Sequence, residues 1–323
     1  MTHSTLWSPS ASIEHLKQRA AIVGKIRAFF SARQVLEVDT PNLARYSVTD
    51  PHMDVISTDN PNAGSSRYYL QSSPEYAMKR LLAAGSGPIY QLCKAFRHAE
   101  CGSRHNPEFT MLEWYRPGFD YFQLMDEVAN LLNLILGPSS YQKISYRDLF
   151  QQYLQIDPHH VDIHTLQTLA HKTLDIQMDS EHRDDWLTLL FSEVIEPRLT
   201  QHTPTFVYDY PASQAALARI AVDKTNTPVA QRFELYVNGL ELANGYYELR
   251  DVNEQQQRFS KDQQLRKQQH KITIENDLFL IEAMKQAGLP DCSGVALGVD
   301  RLVMLALGCT HINDVLAFPI DRA

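Results

Sequence analysis

Apolar residues near the start of the chain recur at steps of three and four. They are Leu16, Ala20, Val23, Ile26 and Phe30. Such spacing places side chains on one face of a helix and predicts a helix with one buried side. A short apolar run at residues 35–38 follows and predicts a strand. Pro41 prevents this strand from continuing as a central one, because proline cannot donate a ladder hydrogen bond.

Further along, the pattern predicts two long strands, at residues 89–97 and 108–116, separated by a polar loop. The other predicted elements are a helix beginning near Pro74, a helix at 122–137, a mainly helical stretch at 145–200, a strand pair at 232–250, a glutamine-rich helix at 253–270, and a strand at 294–299 that leads into a helix. Strands cluster rather than alternate with helices, which predicts an α+β fold with a mostly antiparallel sheet flanked by helices. We expect one domain over residues 1–323, with a helical insertion around 145–200.

Composition narrows the function classes. The chain has 323 residues and a net charge of -8, which disfavours nucleic acid as the main partner. Residues 1–12 are polar, and the apolar stretch 294–308 contains two charges, so neither predicts a signal peptide or a membrane span. The four cysteines form no CxxC pair, which predicts reduced thiols in a cytoplasmic protein.

The second long strand carries the first candidate chemistry. Alternation puts Phe109, Met111, Glu113 and Tyr115 on one face. A buried carboxylate needs a cationic or hydrogen-bonding partner, and a ligand amine would be one. A half-buried strand with no ligand is the structural alternative for Glu113.

Two arginines are candidates for binding an anion. Arg97 ends the first long strand beside the polar loop, and its guanidinium suits a phosphate; a strand-end salt bridge is the alternative. Residues 294–301 alternate small with apolar side chains, so one strand face is nearly bare and suits a flat ligand. Arg301 then lies at a helix N-terminus, where a cation opposes the helix dipole. An anionic ligand would explain it, although close packing also explains the small residues.

Glu241 and Glu248 lie seven residues apart, and the nearby Gly239 and Gly245 disfavour a helix. A strand–turn arrangement would let the two carboxylates converge. Together with phosphate oxygens they would form a Mg²⁺ site. Asn244 between them could orient either a carboxylate or an amine of a substrate.

Three ordered segments resemble the signature motifs of the class II aminoacyl-tRNA synthetases, most closely the lysyl branch. They are residues 37–41 (EVDTP), residues 96–113 with Phe96-Arg97 and RHNPEFTMLE, and the glycine-spaced strand ending in Asp300-Arg301. Residues 71–75 and 241–248 also match the lysyl branch, and the resemblance runs from about residue 15 to 320. We expect no anticodon-binding domain ahead of the core. This pattern, with EWYRP at 113–117, is similar to the elongation factor P lysyltransferases.

The resemblance implies an enzyme that uses ATP and Mg²⁺ to activate lysine, with β-lysine preferred, as its adenylate. It would transfer the lysyl group to a lysine side chain of elongation factor P. The family is usually dimeric, so a homodimer is expected; tRNA is not the expected acceptor.

The resemblance also implies residue roles. Arg97 would hold the α-phosphate, His105 and Arg301 the outer phosphates, and Phe109 would stack on adenine; Arg97 and Arg301 are the expected catalytic residues. The full set expected to bind ATP is Arg97, Glu100, His105, Asn106, Phe109, Glu241 and Arg301. Glu241 and Glu248 would bind Mg²⁺. The amino-acid substrate would contact Ser72, Glu75, Glu113, Tyr115, Asn244, Glu248 and Ala296.

Two positions depart from the family pattern. Ala99 replaces a glutamate that normally follows the arginine by two positions, with Glu100 next to it. Ala296 replaces a glycine of the lysyl-tRNA synthetases, which changes the floor of the pocket by one methyl group.

Two other functions stay open at this point: a free-standing aminoacyl-tRNA ligase, and a non-catalytic module that senses lysine or ATP. The acidic charge and the expected lack of an anticodon-binding domain disfavour the first. Retention of the predicted ATP ligands disfavours the second. A basic stripe is predicted to be mainly a solvated face and is the candidate docking surface for the acceptor protein; it comprises Arg258, Lys261, Arg266, Lys267 and Lys271.

Overall fold

A computed structural model describes residues 7–61, 64, 66–176, 178–201 and 203–323. The first six residues of the polar segment 1–12 thus lie outside the described residues. The chain forms two compact units. Unit 1 comprises Met1–Asp120, Asn130–Gly137 and Arg250–Ala323, and unit 2 comprises Tyr121–Ala129 and Pro138–Leu249.

The helices and strands have the following bounds. The helices are α1 (Ile13–Ser31), α2 (Glu75–Ala83), α3 (Tyr121–Leu136), α4 (Tyr146–Leu154), α5 (Ile163–Thr173), α6 (Arg183–Leu190), α7 (Val252–Gln268), α8 (Leu278–Gln286) and α9 (Val299–Leu307). The strands are β1 (Leu36–Glu37), β2 (Leu43–Ala44), β3 (Ile56–Thr58), β4 (Tyr68–Leu70), β5 (Ile89–Phe96), β6 (Glu108–Pro117), β7 (Gln142–Ser145), β8 (Thr205–Pro211), β9 (Ile220–Val222), β10 (Pro228–Val237), β11 (Leu240–Tyr247) and β12 (Cys292–Gly298).

Unit 1 is built on a sheet in which β5, β6 and β12 are antiparallel neighbours and β1 joins β5 in parallel. A second, small antiparallel sheet contains β2, β4 and β3. Of the predicted apolar face of α1, Ile26 and Phe30 are buried, whereas Ala20 is exposed; Ile22 and Phe29 complete the buried side. The Phe30 ring stacks on Tyr90 of β5 with 4.4 Å between centroids, and Trp114 of β6 meets it edge-on at 5.3 Å. Aromatic packing therefore joins α1 to the sheet.

The basic stripe on and after α7 is not a solvated face throughout. Arg266 is only 1% exposed, and its guanidinium donates to the carbonyl oxygens of Asp50, Met53 and Ile272. This arginine ties the segment around residue 50 to α7, because three backbone acceptors converge on one buried donor group. The prediction that Arg266 contributes to a docking surface is wrong.

In unit 2, β10 pairs antiparallel with β8, β9 and β11, and β7 pairs in parallel with β8. The predicted mainly helical stretch contains α4, α5 and α6. These helices and the strands share one apolar core, which includes Tyr146, Phe191, Tyr210 and Tyr236. Tyr210 on β8 and Tyr236 on β10 thus extend from the strands into this core.

The fold class expected from the sequence is confirmed: each unit combines helices with a mostly antiparallel set of strands. The long predicted elements also exist, with ends no more than four residues from those expected. β2, β3, β7, β8, β9 and α8 were not predicted. β2, β3, β7 and β9 have only two to four residues each, and β8 shows no clear alternation of apolar and polar side chains. No helix among the described residues is long and apolar enough to span a lipid bilayer.

Candidate active site

Three strands of unit 1 bring side chains from distant parts of the chain into one row. Glu113 on β6 lies opposite Gln91 on β5 and opposite Ala296 on β12. Directly paired residues on neighbouring strands share a face of the sheet, with Cβ atoms about 5 Å apart. The Ala296 methyl group therefore lies beside the Cβ of Glu113. In the next row, Gly294 lies opposite Tyr115 and adds no side chain beside the tyrosine.

Glu113 is buried, and its two carboxylate oxygens are held by hydroxyl groups. Ser73 donates to one oxygen and Tyr115 to the other, each at 2.7 Å. Burial, followed by the charge of Glu75, raises the pKa of Glu113 to about 8. Without a bound ligand the Glu113 carboxyl group is therefore mainly protonated at neutral pH, and a ligand ammonium would favour its ionised form.

Glu75 begins α2, where its backbone N–H donates to the Ser73 hydroxyl at 3.0 Å. Its carboxylate pairs with the ammonium of Lys79, one turn along the helix, at 2.6 Å. Lys79 is 2% exposed, so this is a buried ion pair. We call Ser73, Glu75, Lys79, Glu113 and Tyr115 the amine pocket. The neighbouring Ser72 is fully buried, and its hydroxyl has no hydrogen-bond partner among the described residues.

Arg97 lies just after β5, at the edge of the loop that the sequence predicts to contact phosphate. Its guanidinium is 5.1 Å from the centre of the Phe109 ring and 3.5 Å from the Glu100 carboxylate. Ala99 adopts φ = 60°, a left-handed conformation that is uncommon for alanine. The acidic group near Arg97 is therefore supplied by Glu100, next to the position where the family carries its glutamate.

Arg301 and His105 are in direct contact, at 2.5 Å between the guanidinium and Nε2. Because a guanidinium only donates, His105 accepts through Nε2 and is neutral. Burial, followed by Arg301, lowers the pKa of His105. The next residue, Asn106, has only backbone partners: its side-chain amide donates to the Glu108 carbonyl at 2.6 Å and accepts from the Ile320 N–H at 3.0 Å. The Asn106 side chain thus holds the loop between the strands.

Asp300 anchors the start of α9 and thereby the backbone of Arg301. Its carboxylate is 2.6 Å from the guanidinium of Arg19 on α1 and accepts from the Thr110 N–H on β6 at 2.8 Å. Arg19 also donates to the Thr110 hydroxyl at 2.8 Å. Three elements of unit 1 are therefore joined at one buried carboxylate.

The candidate residues of unit 2 depend on an irregularity between β10 and β11. Pairing is regular as far as Ala243 opposite Leu235, and the next pair is Glu241 opposite Tyr236. One extra residue, Leu242, thus interrupts the ladder on β11. Residues an odd number apart in a regular strand face opposite sides, and one extra residue reverses that relation.

The bulge places Glu241 on the same face as Asn244. Tyr236 and Glu234 are two apart on β10 and share a face; Glu241 lies opposite the first and Asn244 opposite the second. Alternation beyond Asn244 puts Glu248 on this face as well. The turn expected within this segment precedes Glu241, at Asn238 and Gly239, so the bulge brings the carboxylates to one face.

These two carboxylates fit a Mg²⁺ ion that takes its remaining ligands from elsewhere. Carboxylate oxygens are the donors that Mg²⁺ prefers, and one or two of them plus substrate phosphates is its usual protein environment. Among the described residues no group of three or more His, Cys, Asp or Glu side chains forms a complete metal site. Glu241 and Glu248 would therefore bind the ion together with phosphate oxygens and water.

Asn244 belongs to a buried polar cluster that the sequence pattern did not single out. The carboxylate of Glu234 accepts from the hydroxyl groups of Tyr210 and Tyr236 at 2.7 and 2.5 Å. It also contacts the guanidinium of Arg232 and accepts from the Asn244 amide at 3.3 Å. We call Tyr210, Arg232, Glu234, Tyr236 and Asn244 the Glu234 cluster.

Three of the residues missed from sequence carry a local signal. Lys79 lies four positions after Glu75 in a predicted helix, a spacing typical of ion pairs. Arg232 and Glu234 alternate on a predicted strand and so share a face. Gln91, Ser73 and Asp300 carry no such local signal, because their partners come from distant segments.

A family model described as tRNA synthetases class II (D, K and N) matches residues 4–322. The chain is 52% identical to the elongation factor P--(R)-beta-lysine ligase of Pseudoalteromonas translucida (strain TAC 125), over 98% of this chain and 99% of the relative. It is 50% identical to the ligase of the same name from Enterobacter sp. (strain 638) and 49% identical to that of Salmonella arizonae, over the full length of both partners. The motifs, the fold and these matches agree, and the chain belongs to the class II tRNA synthetase family of the D, K and N type.

Proposed function

We propose that this protein is an ATP-dependent ligase that activates a lysine as its adenylate and transfers it to a lysine side chain of elongation factor P. β-Lysine is the preferred substrate. The observation that carries the proposal is the full-length identity of about 50% with relatives named as elongation factor P--(R)-beta-lysine ligases. The amine pocket supports it, because its carboxylates suit a substrate with two amines.

In the first step, the substrate carboxylate attacks the α-phosphorus of ATP and pyrophosphate leaves. Arg97 neutralises the charge that develops on the α-phosphate, while His105 and Arg301 hold the outer phosphates. Phe109 stacks on adenine, and Glu100 and Asn106 shape the same loop. Because the attacking group is already an anion, positioning and charge neutralisation supply the catalysis.

The amine groups of the substrate are held by the amine pocket. Glu113, with Tyr115, takes one ammonium, and Glu75 takes the other through the oxygen that Lys79 leaves open. Ser72 and Ala296 shape the surrounding wall. The carboxylates of Glu241 and Glu248 would hold Mg²⁺, which would neutralise phosphate charge, and Asn244 would orient the amino acid.

In the second step, the neutral amine of an acceptor lysine attacks the acyl carbonyl and AMP leaves. We propose a homodimer as the working form, as in related synthetases. Light scattering of the purified protein tests the dimer independently of the activity.

The function is tested by supplying ATP, Mg²⁺ and one lysine isomer together with either elongation factor P or bulk tRNA. We expect ATP–pyrophosphate exchange with the amino acid alone, and a mass increase of one lysyl group on elongation factor P. Labelled tRNA without labelled protein would identify a tRNA ligase. Binding of lysine and ATP without exchange would identify a sensing module.

A further inference from the structure

The side-chain amide of Asn244 faces a charged group at each of its two polar atoms. Its oxygen lies 3.4 Å from Nε of Arg232, and its nitrogen lies 3.3 Å from a carboxylate oxygen of Glu234. A guanidinium can only donate a hydrogen bond, and an ionised carboxylate can only accept one. The surroundings therefore select one of the two orientations of the amide, with oxygen toward Arg232 and nitrogen toward Glu234.

The Arg232–Glu234 pair is itself fixed in place. Two tyrosine hydroxyls donate to the second oxygen of Glu234, and both tyrosines belong to the apolar core of unit 2. Arg232 donates to the carbonyl of Gln214 at 3.1 Å and lies over the Tyr210 ring at 4.7 Å. Turning the Asn244 amide over would set oxygen against carboxylate and nitrogen against guanidinium. Such a mismatch is costly where charges are buried.

We propose that Arg232 and Glu234 are positioning residues that lock the Asn244 amide in one orientation for binding the amino-acid substrate. The proposal rests on the role of Asn244 in the proposed function. In the locked orientation, Asn244 keeps one N–H and one oxygen lone pair in fixed places. An amino acid offers a carboxylate that accepts and an ammonium that donates. The fixed amide orientation, which we call the lock, therefore determines on which side of Asn244 each of these two groups can bind.

The lock is tested by a double-mutant cycle on kcat/KM for β-lysine in ATP–pyrophosphate exchange. Glu234→Gln keeps the shape but can present either a donor or an acceptor to the amide. Arg232→Lys keeps the positive charge but loses the Nε donor. Each is combined with Asn244→Ala, which removes the amide itself.

We expect each single variant to lower kcat/KM about tenfold, mainly through a higher KM for the amino acid, as for the loss of one well-placed hydrogen bond. The KM for ATP should stay within about twofold. In the Asn244→Ala background, Glu234→Gln and Arg232→Lys should each add less than about twofold, because there is no amide left to orient. A lower thermal midpoint alone, with unchanged KM, would indicate a merely structural role and would overturn the proposal.

The outcomes separate the lock from the role of Asn244 itself. If Asn244→Ala is silent, both the role of Asn244 and the lock are wrong. If Asn244→Ala is impaired and the Arg232 and Glu234 effects multiply fully with it, only the lock is wrong. Glu127→Gln on α3 is the matched control, since Glu127 is 6% exposed and Glu234 is 7% exposed. Should Glu234→Gln not yield folded protein, Arg232→Lys carries the cycle alone.

Discussion

Two buried carboxylates of this protein, Glu113 and Glu234, both accept hydrogen bonds from two hydroxyl groups, but only Glu234 also contacts a guanidinium. Glu113 in the amine pocket accepts from Ser73 and Tyr115, and burial raises its pKa. Glu234 also accepts from two hydroxyl groups but contacts the guanidinium of Arg232 as well. A buried carboxylate whose direct partners are neutral still gains from a cation, whereas one that already has a cation does not. We therefore propose that Glu113 contacts a ligand, whereas Glu234 holds a neighbouring side chain.

The largest effect should come from removing the carboxylates of Glu241 on β11 and Glu248 just after it, which share a face with Asn244. Glu241→Gln combined with Glu248→Gln should abolish Mg²⁺-dependent ATP–pyrophosphate exchange, because amide oxygens replace charged ligands of a hard cation. Exchange is measured across a Mg²⁺ titration, with circular dichroism as the control for folding. Full activity in the double variant would contradict the proposed metal site. Glu241 and Glu248 would then be structural residues like Glu234.

Glu113→Gln should lower kcat/KM for the amino acid. The corresponding loss of transition-state stabilisation should be about 1.5–3 kcal/mol, the range for a hydrogen bond to a charged group. The KM for ATP should stay near that of the wild type. Thermal stability should not fall, since the change removes a carboxyl group whose ionisation is disfavoured by burial. A stability loss without a kinetic effect would show that Glu113 is structural, and the contrast with Glu234 would fail.

The pH dependence of binding follows from the same carboxyl group. Burial and Glu75 raise the pKa of Glu113 to about 8, so its ionised fraction increases about tenfold per pH unit below that value. The KM for the amino acid should therefore fall as pH rises from 6 to 8 and level off above it. Affinity for the amino acid should thus rise with pH, whereas the stability of the substrate-free protein should decrease. Its unfolding free energy should fall over this range, because the folded state retains a proton that the unfolded state has lost. Both trends should be absent in Glu113→Gln.

The smallest effect concerns the methyl group that lies beside Glu113. Ala296→Gly should shift the preference from β-lysine toward α-lysine by about 1 kcal/mol, the low end for one methyl in a fixed wall. The measurement is kcat/KM for both isomers in both proteins. An unchanged ratio would show that Ala296 does not read the substrate backbone, and Ser72, Glu75 or Asn244 would be the next candidates.

Much of the candidate site follows from local patterns along the chain. The alternation on β6 places Glu113 and Tyr115 on one face, and they do share a hydrogen bond. The polar loop and its arginine are likewise predicted from local pattern alone. The prediction for Arg266, by contrast, is wrong, because its partners near residue 50 lie more than 200 positions away and no local pattern shows them.

The sequence by itself determined residue chemistry, the alternation along single strands and the family. The tertiary structure decided what depends on pairing between distant segments. The bulge that turns Glu241 to the face of Asn244 arises from the register against β10, and nothing within β11 indicates it. The orientation of the Asn244 amide depends on Arg232 and Glu234, and the raised pKa of Glu113 depends on burial and on Glu75. Charge, pKa and hydrogen-bond direction depend on neighbours in space, and the linear sequence does not show which residues those neighbours are.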